Sequence, residues 1–145
     1  MSNRAARLVL ATASPVLVGG GAAAWGLITK QLKDQRITVH PDHGTLAGKP
    51  VAGPMTAFAQ AEVVGQHAEH IGGGKTFAEL SEEFMAAQAD GDTAKAEELA
   101  GPREMVMQAG FVRASLFTSV LAYGVSALAV GVGVVAGAAA AGLDD

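Results

Sequence analysis

Two long stretches without a charge constrain this chain more than anything else in it. The first runs from Leu8 to Thr29, and no charged residue lies between Arg7 and Lys30. The second runs from Ala114 to Leu143, and none lies between Arg113 and Asp144. A bilayer core is roughly 30 Å thick, and a helix needs about 20 apolar residues to cross it. Both stretches are long enough. The expected fold class is mainly α: a transmembrane helical hairpin with a small, mostly helical soluble domain in the long connecting loop. The expected divisions are a short basic tail (1–7), a first span (8–29), a polar loop domain (30–113), a second span (114–143) and an acidic tail (144–145).

Charge follows the same division. Of 10 Lys/Arg and 14 Asp/Glu, all but Arg4, Arg7, Asp144 and Asp145 lie between Lys30 and Arg113. The tails cancel, so the net charge of −4 belongs to the middle. No basic patch is present of the kind that nucleic-acid binding needs, and no polybasic run suggests docking on anionic lipid. With no cysteine, disulfides, thiolate metal sites and Cys nucleophiles are excluded.

The first stretch also has the parts of a secretory signal: Arg4 and Arg7, an apolar core near Leu8–Val18, and Ala22-Ala23-Ala24 as a cleavage site. The apolar run continues past those alanines through Trp25, Leu27 and Ile28, beyond the roughly 7–15 residues of a signal core. An uncleaved anchor is expected. Lys30, Lys33, Arg36, Arg103 and Arg113 flank the loop, and counting positive residues alone would place it inside the cell. The loop exceeds the length of about 60 residues up to which that rule operates. The short basic start is expected to dominate, giving a multi-pass plasma-membrane protein with both termini cytoplasmic and the loop extracytoplasmic.

Along the chain, the first helix is expected to carry Pro15 and to extend through Lys30–Arg36. Ile37-Thr38-Val39 reads as a brief strand or extended exit. His40–Pro54 is rich in turn residues and reads as an irregular ordered loop. A helix is expected from Met55 to Ile71, with Ala57, Ala61, Val64, Ala68 and Ile71 on one face, stopped by Gly72-Gly73-Gly74. Thr76 and Glu79 form a capping box that opens a helix to Ala89, with Phe77, Leu80 and Phe84 along one stripe. Asp92 caps a short helix to Ala100. Gly101-Pro102 is expected to break the chain and restart it. A helix from Arg103 to Ala141 would be about 58 Å long, with Arg113 at the membrane interface.

Candidate chemistry is sparse. His40, His43, His67 and His70 all lie in the middle segment. His67 and His70 share a helix face, and Asp42 and Glu69 stand near them in sequence. Imidazole and carboxylate suit Zn or Fe(II), but spacing alone does not bring the His40 loop to the His67 helix. The expectation is therefore no metal site, no catalytic residue and no cofactor. Gly74-Lys75-Thr76 resembles the end of a phosphate loop, yet the glycine required five residues earlier is Glu69. Asp90-Gly91-Asp92 fails as a calcium loop, because the later ligand positions fall on Ala94 and Gly101.

The spans carry small residues at every fourth position: Ala129, Gly133, Gly137 and Ala141 in the second, Ala11, Pro15, Gly19 and Ala23 in the first. Such faces let helices approach closely in lipid. Neither span holds Asp, Glu, Lys or Arg, so an ion or proton path has no evident carrier.

Ile37-Thr38-Val39, Ala47-Gly-Lys-Pro-Val-Ala-Gly-Pro-Met-Thr-Ala-Phe-Ala-Gln-Ala-Glu62, Gly73-Gly-Lys-Thr-Phe-Ala-Glu-Leu80 and Phe111-Val-Arg-Ala-Ser-Leu-Phe-Thr-Ser119 together resemble a family of small two-span membrane proteins from actinobacteria. Its members often bear the label aromatic ring-opening dioxygenase. The similarity covers most of the chain and implies the two-span fold. It carries over no activity and no site residue.

The leading expectation is a non-catalytic structural or accessory component, with the lipid bilayer and another membrane protein or a second copy as partners and no nucleic acid. Phe58, Phe77, Leu80 and Phe84 would supply apolar contacts to a partner or form the loop's own core. Two alternatives stay open: a membrane-anchored metal-dependent enzyme using His40, His43, His67 and His70, and a small oligomeric channel or transporter.

Overall fold

A computed structural model describes residues 3–143, so Met1, Ser2 and the acidic pair Asp144–Asp145 lie outside it. The chain is mainly helical. Its helices are α1 (Asn3–Asp34), α2 (Pro54–Ile71), α3 (Phe77–Ala89) and α4 (Thr93–Ala141), with a short 3-10 turn at Pro41–His43. α1 and α4 are each long and apolar enough to cross a membrane. The residues group into two units. One comprises Val51–Pro54 and the described parts of Met1–Ile37 and Ser119–Asp145; the other comprises Thr38–Pro50 and Met55–Thr118.

In the first unit, α1 and the C-terminal part of α4 pack antiparallel. Early α1 residues meet late α4 residues: a Cβ added at Gly137 would lie 2.7 Å from Ser14 Oγ, and one at Gly133 would lie 2.8 Å from Val18 Cγ2. Further along, a Cβ at Gly21 would lie 2.7 Å from the Ser126 carbonyl oxygen and 2.8 Å from Val130 Cγ2. Trp25 then meets Tyr123 edge to face, with ring centroids 4.6 Å apart.

The seam does not follow the expected four-residue stripes. Tyr123, Ser126, Val130, Gly133, Gly137 and Ala140 of α4 are buried or half-buried, as are Leu10, Ser14, Leu17, Gly21, Ala24 and Ile28 of α1. These steps alternate between three and four residues. A strict four-residue step advances about 40° round the helix each time and soon leaves the interface, whereas alternation averages close to the helical period. Ala129, Gly133 and Gly137 are buried or half-buried as expected. Ala141 is exposed, and in α1 the expected Ala11, Pro15, Gly19 and Ala23 are all exposed.

Several hydroxyls on these helices are satisfied locally or across the seam. Thr12 Oγ1 donates to the carbonyls of Leu8 and Val9, and Ser126 Oγ donates to that of Ala122 at 2.8 Å. The Thr29 and Tyr123 hydroxyls share a 2.8 Å hydrogen bond. The outward faces are different in kind. Leu8, Val16, Leu27, Leu121, Val125, Leu128, Val132 and Val135 are exposed, with Val16 and Leu121 each 71% accessible.

The second unit is built on a second antiparallel contact, between α2 and the N-terminal part of α4. Phe58 meets Phe117 with centroids 5.7 Å apart. A Cβ at Gly65 would lie 3.0 Å from Arg113 Nε, and one at Gly72 3.2 Å from Val106 Cγ2. α2 begins on Pro54, where the missing amide costs nothing. It ends in a Schellman motif: Gly74 N–H reaches the Glu69 carbonyl at 2.8 Å and Gly73 N–H that of His70 at 3.1 Å. Gly73 supplies the required positive φ of 61°. The capping box at Thr76 and Glu79 forms as expected. α3 ends in the same way as α2, with Asp92 N–H on the Ala87 carbonyl, Gly91 N–H on that of Gln88, and Gly91 at φ 73°. Asp92 then caps α4 by accepting from the Lys95 amide at 3.0 Å.

One expectation fails here. Gly101-Pro102 does not break the chain, and α4 is a single helix through Pro102. Proline removes one backbone bond and crowds one carbonyl. The flanking Ala94–Ala100 and Arg103–Ala109 segments are rich in strong helix formers, and Arg103 locks the next turn. Its Nε donates to Ser81 Oγ at 2.9 Å, and its guanidinium lies over Phe77 and Phe84 at 5.2 and 5.1 Å. Leu80 is buried, while Phe58 and Phe77, though in contact with α4, remain exposed.

Candidate functional site

The loop between α1 and α2 is irregular in outline but closely hydrogen-bonded. Thr38 forms an isolated antiparallel bridge with Pro50. Val39 N–H donates to the Lys49 carbonyl at 2.9 Å, and Gly48 N–H to that of Val39 at 2.8 Å. This pins both ends of the excursion from His40 to Ala47. Inside it, Pro41 fixes φ at the start of the 3-10 turn, and His43 and Gly44 amides return to the carbonyls of His40 and Pro41.

α2 holds this loop from one face. Gln60 and His67 are seven residues apart, two helical turns, so they stand one above the other. Gln60 Oε1 accepts from the His40 backbone amide at 2.9 Å. His67 Nε2 lies 2.8 Å from Asp42 Oδ2. His40 Nδ1 lies 3.2 Å from the same carboxylate oxygen, and the two imidazoles meet nearly perpendicular with centroids 4.7 Å apart. His40, Asp42 and His67 therefore bring three ligand-type atoms within 4.8 Å of one another. The hydrogen bond from His67 holds the Asp42 carboxyl below the usual carboxylate range.

The four histidines do not act as one group. His40 and His67 converge, although sequence spacing alone gave no reason to join them. His43 turns away from the cluster's hydrogen bonds, and its Nδ1 is buried without a partner. His70, the expected face-mate of His67, is exposed and lines a shallow surface depression with Gln66, Glu69, Gly73 and Gly74. Asp42 joins the cluster and Glu69 does not. The signal that sequence reasoning passed over was the spacing of Gln60 and His67 opposite a Pro-Asp-His turn.

Chemically, the cluster polarises an imidazole against a carboxylate and presents both to solvent, since its side chains are about half exposed. His67 also stands at the edge of a shallow apolar groove formed by Val64, Ala68 and Ile71 of α2 and Met105, Ala109 and Val112 of α4. The phosphate-loop resemblance dissolves: Gly72–Gly74 terminate α2, Thr76 caps α3, and Lys75 pairs with Glu83 at 2.7 Å. Compared with protein-family models, curated proteins and solved structures, the chain has no match.

Proposed function

We propose that the chain is a two-span integral protein of the plasma membrane, a non-catalytic structural or accessory component that binds another membrane protein. One observation carries this reading: the α1–α4 pair turns large apolar side chains outward along both helices. Contiguous exposed apolar surface beyond a few hundred Å² is uncommon on soluble monomers. A soluble protein's core helix buries most of its apolar window, whereas only 6% of that window is buried in α1 and 17% in α4. A bilayer would cover the faces of Val16, Leu27, Leu121, Val125, Leu128 and Val132. The internal hydrogen bonds of Thr12, Ser126 and Thr118 suit a solvent that offers no partners. Arg4 and Arg7 lie at the cytoplasmic side, and the residues between Lys30 and Arg113 lie outside.

The accessory role rests on what remains uncovered. The seam uses one face of each helix, and the rest of each span is free to meet another helix in the membrane. A seam filled by Ser14, Gly21, Gly133 and Gly137 leaves no polar lining for a path through the pair.

Two fractionation experiments test the reading. Alkaline extraction of membranes from cells expressing the full chain should leave it in the pellet; release into the supernatant contradicts membrane spanning. Purification in mild detergent through a C-terminal tag should bring a stoichiometric membrane protein with it. Recovery of the chain alone contradicts the accessory role.

A further inference from the structure

The His40–Asp42–His67 cluster gathers three atoms of the kind that ligate a metal within 4.8 Å of one another. His40 Nδ1 accepts from the Asp42 backbone amide at 3.4 Å, the contact that caps the 3-10 turn. Accepting requires a lone pair on Nδ1 rather than a proton. The same nitrogen faces Asp42 Oδ2 at 3.2 Å, and that oxygen is an acceptor too. Two lone pairs therefore face one another, and His67 Nε2 approaches the same oxygen at 2.8 Å. A proton on His40 would satisfy the carboxylate at the expense of the amide. A metal ion bonded to Nδ1, Oδ2 and Nε2 would engage a lone pair on each of the three atoms with the rings in their neutral form, likewise in place of the long Asp42 amide contact to Nδ1.

We propose that His40, Asp42 and His67 form a binding site for a divalent transition-metal ion of the Zn²⁺ type. Two neutral imidazoles and one carboxylate are a ligand set that such ions favour over Ca²⁺ or Mg²⁺. The fold assembles the site in advance. His40 and Asp42 come from a turn held by the Val39–Lys49 and Val39–Gly48 bonds, and His67 comes from the C-terminal part of α2. Gln60 ties the His40 backbone to the same helix face. Movements of about an ångström would bring all three atoms to bonding distances near 2 Å. The solvent-facing side leaves room for water to complete a tetrahedral shell. A bound ion would clip the 38–50 loop to α2, an effect independent of whether α1 and α4 span a membrane.

The test uses the full chain, purified in mild detergent through a tag that contains no histidine and stripped of metal. Co²⁺ serves as a coloured probe, followed by displacement with Zn²⁺. One equivalent should bind with visible d–d absorption, and Zn²⁺ should abolish that absorption. Asp42→Asn and His67→Ala should each weaken Co²⁺ binding by at least about tenfold, the scale on which even supporting groups act. His70→Ala should leave it unchanged. Amide exchange across 38–50 should slow when Zn²⁺ is added to the wild type and not to Asp42→Asn, which keeps the side chain's shape. The proposal is overturned if the wild type shows no saturable Co²⁺ absorption. It is also overturned if Asp42→Asn and His67→Ala bind as the wild type does, or if His70→Ala loses binding equally.

Discussion

The two units of this protein use the same device, an antiparallel contact onto α4 with small residues at the closest approaches, and differ in the charge of the surface around it. In the first, the contact with α1 combines small residues, Ser14, Gly21, Gly133 and Gly137, with the Trp25–Tyr123 pair, and many large apolar side chains point outward. In the second, the buried side of α2 is Ala57, Ala59, Ala61 and Val63, and partly exposed aromatics add contacts to α4: Phe58 on Phe117, and Phe77 and Phe84 on Arg103. Its exposed surface carries most of the chain's charge. Where water is the solvent, large apolar groups gain by turning inward. Where lipid is the solvent they gain nothing by it, and close backbone approach through small residues takes over. One continuous helix serves both rules, with the change falling near Arg113–Ser119.

The sharpest way to break this comparison is to enlarge the small-residue seam. Gly21→Leu places atoms against the Ser126 carbonyl, a backbone group that cannot swing aside. It should cost the α1–α4 packing at least the roughly 1–3 kcal/mol typical of overpacking, read as a lower unfolding midpoint in detergent. Gly131→Leu, at a position with open space around it, should be close to neutral. Equal effects from the two would contradict the seam.

A smaller effect is expected on the second unit. Thr76→Ala removes the hydroxyl that accepts from the Glu79 amide and donates to the Glu79 carboxylate, leaving only the backbone half of the capping box. The loss should be about 1 kcal/mol, visible as faster amide exchange at the start of α3 and nowhere in α1. Tyr123→Phe should cost about as much or slightly less by leaving the Thr29 hydroxyl without its partner. Its effect should stay within the first unit.

Acid should also separate the two units, with the smallest effect. The carboxyls of Asp42 and Glu79 are held below their ordinary values, Asp42 by the His67 hydrogen bond and Glu79 by the Thr76 amide and hydroxyl. A depressed carboxyl stabilises the fold above its unfolded pKa, and that contribution is lost as pH falls through the lower folded value. Amide exchange in the 38–50 loop and at the start of α3 should therefore rise below about pH 4. The α1–α4 seam has no carboxyl or imidazole between Arg7 and Lys30 and should not respond. An acid response in the seam that matches the loop's would contradict this division.

Much of this was legible in the sequence where the signal is local. The spans followed from missing charges, α2's stop from Gly72–Gly74, and α3's start from Thr76 and Glu79. Features that depend on a partner were not. The seam of α1 runs one position away from its small-residue stripe, because the angle at which two helices meet is set by both and written in neither. Pro102 read as a break because Arg103's contacts with α3 are invisible in a list of residues. His40 and His67 are 27 positions apart, and only the Val39–Lys49 pairing and Gln60 bring them together.

The most direct test of the central claim is a single-cysteine scan of the full chain in native membranes, which its lack of cysteine makes clean. Val16→Cys and Leu128→Cys, both exposed in the fold, should resist a membrane-impermeant maleimide, while Gln88→Cys and Glu97→Cys, on α3 and early α4, should react readily. If Val16→Cys and Leu128→Cys react as fast as Gln88→Cys, the outward apolar faces are in water and the account of two solvents is wrong.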